Sequence, residues 1–155
     1  MGCTFKYIVA IADPKIRKCV FERLKYTDGE PLDIVSHRAE ILEEVNYKPG
    51  LVMCGNVTVG VNTTIGHGCH INVNTYVGHD CNIGDFVTFG PNAVCAGNVC
   101  IEEGVYVGAG ALIRQGKPNE PIVIGKFSII GMGSVVTSSV AANKTVVGNP
   151  SRILN

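Results

Sequence analysis

The run VGVNTTIGHGCHINVNTYVGHDCNIGDFVTFG, residues 59–90, decides the fold. Stepping by six from Val59 gives Val59, Ile65, Ile71, Val77, Ile83 and Phe89, and the series continues through Cys95, Ile101, Val107 and Ile113. Four residues after these stops come Thr63, Cys69, Thr75, Cys81, Val87, Ala93, Val99, Val105 and Ala111, all small or β-branched. Glycine directly follows many of the apolar stops, at Gly60, Gly66, Gly78, Gly84, Gly90 and Gly108. The register restarts at Ile124-Gly125, Ile130-Gly131 and Val136. A period of six is wrong for a helix and too long for simple strand alternation. It fits a coil with short strands as flat faces, each pointing one large and one small side chain inward, with Gly or Asn at bends that need φ > 0. A β-sandwich would not hold this phase, because its turns recur at wider and less regular spacing.

Outward from the repeat, composition divides the chain. Residues 1–50 carry 8 of the 13 basic and 8 of the 13 acidic residues, whereas Leu51 to Ile113 contains no Lys or Arg. Of the 19 glycines, 17 lie at or after Gly50. The expected organisation is a partial α/β segment at 1–48 and a β-helix at 49–155. The first segment reads β-α-β: a strand from Lys6 to Ala12, a helix capped by Asp13 with Pro14 in its first turn, and a second strand from Leu32 to Val35. Ile16, Val20, Phe21 and Leu24 are expected on the buried helix face. The segment Gly116-Lys117-Pro118-Asn119-Glu120-Pro121 breaks the phase and reads as a protruding loop.

Net charge is zero and mean hydropathy is +0.25, so nothing favours nucleic acid or an anionic membrane as partner. No apolar run reaches membrane-spanning length and no signal peptide opens the chain, which makes a cytoplasmic protein the expectation. Seven cysteines with no short paired spacing read as small buried fillers, not as a disulfide framework or zinc site.

The aliphatic-Gly-x-x-small-x pattern resembles the hexapeptide repeat of left-handed β-helix acyltransferases. The handedness comes from that resemblance. Residues 71–86, INVNTYVGHDCNIGDF, with Cys95-Ala96-Gly97-Asn98-Val99 and Val147-Gly148-Asn149-Pro150-Ser151-Arg152, resemble the subgroup that acetylates sialic acids or nucleotide-linked 4-amino sugars. The resemblance implies a trimer with acetyl-coenzyme A as acyl donor, no metal, and a small sugar acceptor bound between subunits. It implies His79 as general base, Asp80 orienting it, and Asn72 near the substrate. Many members carry a second histidine nine residues after the base, against the coenzyme; Thr88 stands there. Ala109, Gly110 and Gly131 suit close approach of the pantetheine arm, and Arg152, with Lys117 and Lys126, offers cations for its phosphates. The family's N-terminal domain opens with a strand and Gly-rich turn that hold the acceptor's nucleotide. Met1 aligns near the later part of that domain, so simpler sugars or other small amines and alcohols also come into view.

Acyl transfer needs a base for the acceptor proton, a carboxylate to fix the imidazole tautomer, and donors for the developing oxyanion. With an eighteen-residue coil, Gly97 stacks beside His79, about one strand spacing away. The expectation is an empty notch over Gly97 that receives the thioester. Two other classes stay open: a non-catalytic trimeric scaffold, and a zinc-type carbonic anhydrase. The latter needs a histidine pair five apart, and His37, His67, His70 and His79 supply none.

Overall fold

The computed structural model describes residues 5–154. Its body is a parallel β-helix whose short strands stack into three faces. Face I holds eight strands, from Ile34–Val35 to Thr145–Val147 with the antiparallel Arg152–Ile153 at its end. Face II holds six, from Glu40–Ile41 to Val135–Val136, and face III holds five, from Asn46–Tyr47 to Ile122–Ile124. Register is set by an eighteen-residue return: Thr58 pairs with Tyr76, and Tyr76 with Val94. Each inward stop of the six-residue series from Val59 to Ile113 is at most 2% exposed, as is each small partner from Thr63 to Ala111. Burial of each aliphatic side chain is worth about 1.5–3 kcal/mol. Cys69, Cys81 and Cys95 belong to this core, and burial pushes the Cys69 thiol up to about 12. Cys19 is exposed, Cys54 and Cys100 are half-buried, and Cys3 lies outside the described residues, so only part of the cysteine set is core filler.

The bends use residue types differently from expectation. Glycines that directly follow the apolar stops do not have positive φ; a Cβ on Gly78 would meet the Gly97 amide nitrogen of the next coil at 2.6 Å. Positive φ falls two residues later, at Asn62 (φ 56), Asn74 (59), Asp80 (55), Asn92 (57) and Asn98 (56). Asn and Asp tolerate this region better than most residues.

The repeat begins earlier than composition indicates. Ile34–Val35 already pairs in parallel with Val52–Met53, so residues 34–48 are coil and not part of an N-terminal segment. Charge misled here because this end of the prism is covered on one side only: Glu40, Glu43 and Glu44 face solvent while Ala39, Ile41 and Val45 are partly buried. The loop interrupts the repeat as expected. Val99 pairs with Ile122, a step of 23 against the usual 18, so five residues are inserted (23 − 18).

Three short elements lie against face I: β1 (Phe5–Tyr7), α1 (Pro14–Leu24) and β2 (Gly29–Pro31), with β1 and β2 paired in parallel. Asp13 caps α1 by accepting the amides of Lys15 and Ile16, both at 2.9 Å. The second strand is Gly29–Pro31 and not Leu32 to Val35, because Ile34 and Val35 are recruited into the first coil. The helix face also differs from expectation: Ile16 is 54% exposed, while Arg17 is fully buried beside Pro14 and Phe21. Phe21 packs edge-on against Phe86 with centroids 5.4 Å apart.

Arg17 anchors the segment. Its Nε donates to Gly68 O (2.7 Å), Nη1 to Ile11 O (2.7 Å) and Ala12 O (3.0 Å), and Nη2 to Phe86 O (2.6 Å) and Thr88 Oγ1 (2.8 Å). Burial holds its pKa down to about 10, so it stays charged at neutral pH. The fork geometry of guanidinium satisfies carbonyls on both sides of the seam, which a lysine could not do. Arg17→Met is expected to cost about 3 kcal/mol or more, because buried carbonyls lose charged donors. Urea denaturation followed by circular dichroism measures it; a loss below about 1 kcal/mol overturns the anchoring role.

Candidate active site

The edge between faces II and III carries the densest chemistry. The chain leaves Tyr76–Val77, turns through Gly78, His79 and Asp80, and re-enters as Asn82–Ile83. Positive φ at Asp80 turns its carboxylate back on its neighbour: His79 Nδ1 lies 2.6 Å from Asp80 Oδ2. The two side chains are 42% and 46% exposed, so the pair is open to a ligand. The Asp80 carboxyl is held below its ordinary value, first by the His79 hydrogen bond and then by one from Asn62. With Nδ1 committed to the carboxylate, Nε2 is the nitrogen left for a substrate proton.

Nε2 lies over Gly97. A Cβ added to Gly97 would collide with the imidazole, at Nε2 before any other atom. The stacking of His79 on Gly97 is therefore as expected, but the notch is not empty: the ring itself fills it. Gly97 is buried and serves as the seat of the imidazole, so its missing side chain sets ring position instead of making room for a thioester.

A cleft of about 310 Å³ opens on the Asp80 side, lined by Asp80, Asn82, Asn98, Val99, Cys100, Pro118 and Pro121. The inserted loop supplies its prolines. Within that loop Lys117 and Glu120 exchange backbone hydrogen bonds at 3.0 Å and pair their side chains at 3.2 Å. The phase break signalled the loop; its position beside Asp80 follows only from the coil register.

The other candidates lie elsewhere. Asn72 turns at the edge between faces I and II, where its Nδ2 donates to Phe89 O at 2.6 Å. Ala109, Gly110 and Gly131 share that edge. Gly110 (φ +66) is open, with nothing near a Cβ, whereas a Cβ on Gly131 would meet Val147 Cγ1 at 2.7 Å. Arg152 is exposed at the last strand, and its Nη1 donates to Ser151 O at 2.9 Å. Lys126 lies near Glu103, with Nζ 3.9 Å from its carboxylate.

Thr88 is a correction. It is 1% exposed, its Oγ1 donates to Ala12 O at 3.0 Å and accepts from Arg17, and it has no free atom to offer a coenzyme. The N-terminal elements roof this part of face I. The same roof buries His70 to 8% exposure, and burial presses its pKa down to about 4. Of the other histidines, His37 is exposed near the first coil and His67 packs toward Phe21. Among the described residues no group of three or more His, Cys, Asp or Glu side chains is arranged to hold a metal, and no helix is long and apolar enough to cross a membrane.

Comparison with known proteins agrees with this geometry. Residues 62–97, which contain the His79–Asp80 turn, match the bacterial transferase hexapeptide (six repeats) family. The chain is 47% identical over 144 residues to GDP-perosamine N-acetyltransferase of Escherichia coli O157:H7, covering 93% of this chain and 65% of that protein. The structure superimposes on WeeI from Acinetobacter baumannii AYE with a TM-score of 0.95 at 45% identity, over 96% of this chain and 70% of that one. It superimposes on PerB from Caulobacter crescentus, in complex with CoA and GDP-perosamine, with a TM-score of 0.91 at 25% identity, over 97% and 70% of the two chains. The chain thus spans about two thirds of the length of these relatives. An inward hexapeptide register, the His79–Asp80 turn within it and these likenesses converge: the chain belongs to the hexapeptide-repeat acyltransferases of the left-handed β-helix type.

Proposed function

We propose that this chain transfers acetyl from acetyl-coenzyme A to the amino group of a nucleotide-linked amino sugar. The observation that carries the reading is the His79–Asp80 pair, with Nδ1 held at 2.6 Å and Nε2 seated over Gly97. The E. coli relative named as a GDP-perosamine N-acetyltransferase supports an amine acceptor, as does the PerB complex with CoA and GDP-perosamine. The sugar amine attacks the thioester carbonyl carbon while His79 Nε2 removes its proton. Asp80 stabilises the imidazolium that forms. Collapse of the tetrahedral intermediate breaks the C–S bond, and the departing thiolate takes the proton back from the imidazolium. The His79 hydrogen bond, with that from Asn62, holds the Asp80 carboxyl below its ordinary value and so favours the ionised form that this step needs.

Within one chain the base and the coenzyme candidates cannot meet, because they occupy the two edges that border face II. That face is apolar over its later coils, although exposed Glu40 stands at its first strand and face I also exposes Ile34 and Ile129. Tyr76 (42% exposed) and Leu112 (43%) stand on it, with half-buried Val94 and Val135. Val61, Val73 and Met132 add exposed apolar surface along its margins. Face I is roofed in part, and face III points Asn46, Thr64 and Asn82 outward. Three copies turning face II toward a common axis would bury this surface. Each copy's His79 edge would then abut the next copy's Ala109–Gly110–Gly131 edge. The proposed active species is therefore a homotrimer with three sites between subunits.

Three measurements test this reading: turnover, thermal stabilisation and light scattering. With acetyl-coenzyme A and GDP-perosamine, His79→Ala is expected to lower kcat by about 10²–10⁴. Gly97→Val is expected to do comparable damage by unseating the ring. The parent is expected to be thermally stabilised by acetyl-coenzyme A, and both variants should keep that stabilisation. Undiminished turnover in His79→Ala removes it as the base, and no stabilisation of the parent favours a non-catalytic scaffold. Separately, Leu112→Glu is expected to shift the mass in light scattering from trimer to monomer and to abolish transfer. A parent that is already monomeric overturns the intersubunit site.

A further inference from the structure

Along the edge between faces I and II, asparagines one coil apart form a ladder. Asn56 Nδ2 donates to Asn74 Oδ1 at 3.1 Å, and Asn74 Nδ2 donates to Asn92 Oδ1 at 3.2 Å. The positive φ at each rung holds the side chains over one another. The edge between faces II and III begins the same ladder, with Asn62 Nδ2 donating to Asp80 Oδ1 at 3.2 Å. There the ladder changes character. A carboxylate has no N–H to pass on to Asn98, so the second oxygen of Asp80 is left to face His79 Nδ1 at 2.6 Å.

We infer that Asn62 is a positioning residue for the acyl-transfer base: its side-chain amide holds one oxygen of Asp80 so that the other meets the imidazole. This rests on the reading of His79 and Asp80 as the catalytic pair. Asn62 touches neither substrate nor the reacting atoms; it acts one coil away, through Asp80. The Asn62–Asp80–His79 chain turns a structural ladder into a tautomer lock. The charge-assisted bond from the amide favours the ionised carboxylate, and the ionised carboxylate favours the Nδ1–H tautomer.

The test uses Asn62→Gly, because glycine adopts the φ of 56° at this position without strain. The assay is acetyl transfer from acetyl-coenzyme A to GDP-perosamine, with ¹⁵N chemical shifts of the His79 ring recorded in parallel. In the parent background, Asn62→Gly is expected to lower kcat about five- to tenfold, leave the KM for acetyl-coenzyme A within about twofold, and shift the ring away from the Nδ1–H tautomer. In an Asp80→Asn background the same change is expected to cost less than about twofold, since the residue it acts through is already altered. Equal losses in both backgrounds, or an unmoved ¹⁵N spectrum in Asn62→Gly, overturn the inference. Full activity in Asp80→Asn alone overturns the catalytic pair instead. A shifted spectrum in a protein that does not transfer acetyl leaves the positioning role intact and overturns the proposed reaction.

Discussion

Amides of one coil donate to carbonyls seventeen residues on, Gly60 to Val77 and Gly78 to Cys95, both at 2.7 Å. This parallel register turns sequence distance into spatial adjacency, because residues eighteen apart become vertical neighbours on the prism. The core follows from it: Val59, Val77, Cys95 and Ile113 form one inward column of face II. The site obeys the same rule. His79 is a neighbour of Gly97 and Asp80 of Asn62 because the backbone hydrogen bonds permit no other stacking. A one-residue slip would exchange inward and outward side chains on every strand. The coil closures carry a matching constraint, since a Cβ on Gly78 would strike the next coil's backbone.

A second constraint fixes what the prism leaves open. The N-terminal elements have a small apolar seam of their own, made of Val9, Phe21 and Phe86. Arg17 supplements it with charge-assisted bonds to carbonyls on the helix entry and on two coils. That docking closes part of face I and decides which residues a ligand can reach. Thr88 and His70 lose access, while the edges flanking face II remain bare.

The six-residue phase made the inward columns, the loop and the His79–Gly97 stacking legible before any coordinates, because each depends only on backbone periodicity. Features that depend on tertiary docking were not legible. Hydropathy places Ile16 on the buried helix face, yet Ile16 is exposed and Arg17 is buried, because carbonyls at the seam need donors, a demand that apolarity cannot report. The family resemblance puts Thr88 against the coenzyme, but a resemblance of motifs does not show which face the first helix covers. Composition sets the start of the coils at 49, because charge is dense before residue 50 and glycine is dense after it. Outward positions are free to be charged, and the inward Ala39, Ile41 and Val45 carry the pattern.

The distribution of polarity around the prism links fold to chemistry. Between Leu51 and Ile113 only Asp80, Asp85, Glu102 and Glu103 are charged at neutral pH, and of these Asp80 alone is bonded to an imidazole. The ionised Asp80 carboxylate at 2.6 Å from Nδ1 would suit the proposed base, which becomes cationic for part of a cycle. The bare apolar face beside it would lower the local dielectric once covered by another subunit, strengthening that same pairing. In the proposed trimer the isolated chain would hold half a site: it carries the His79–Asp80 pair, and the surface that would exclude water from that pair would come from a second subunit.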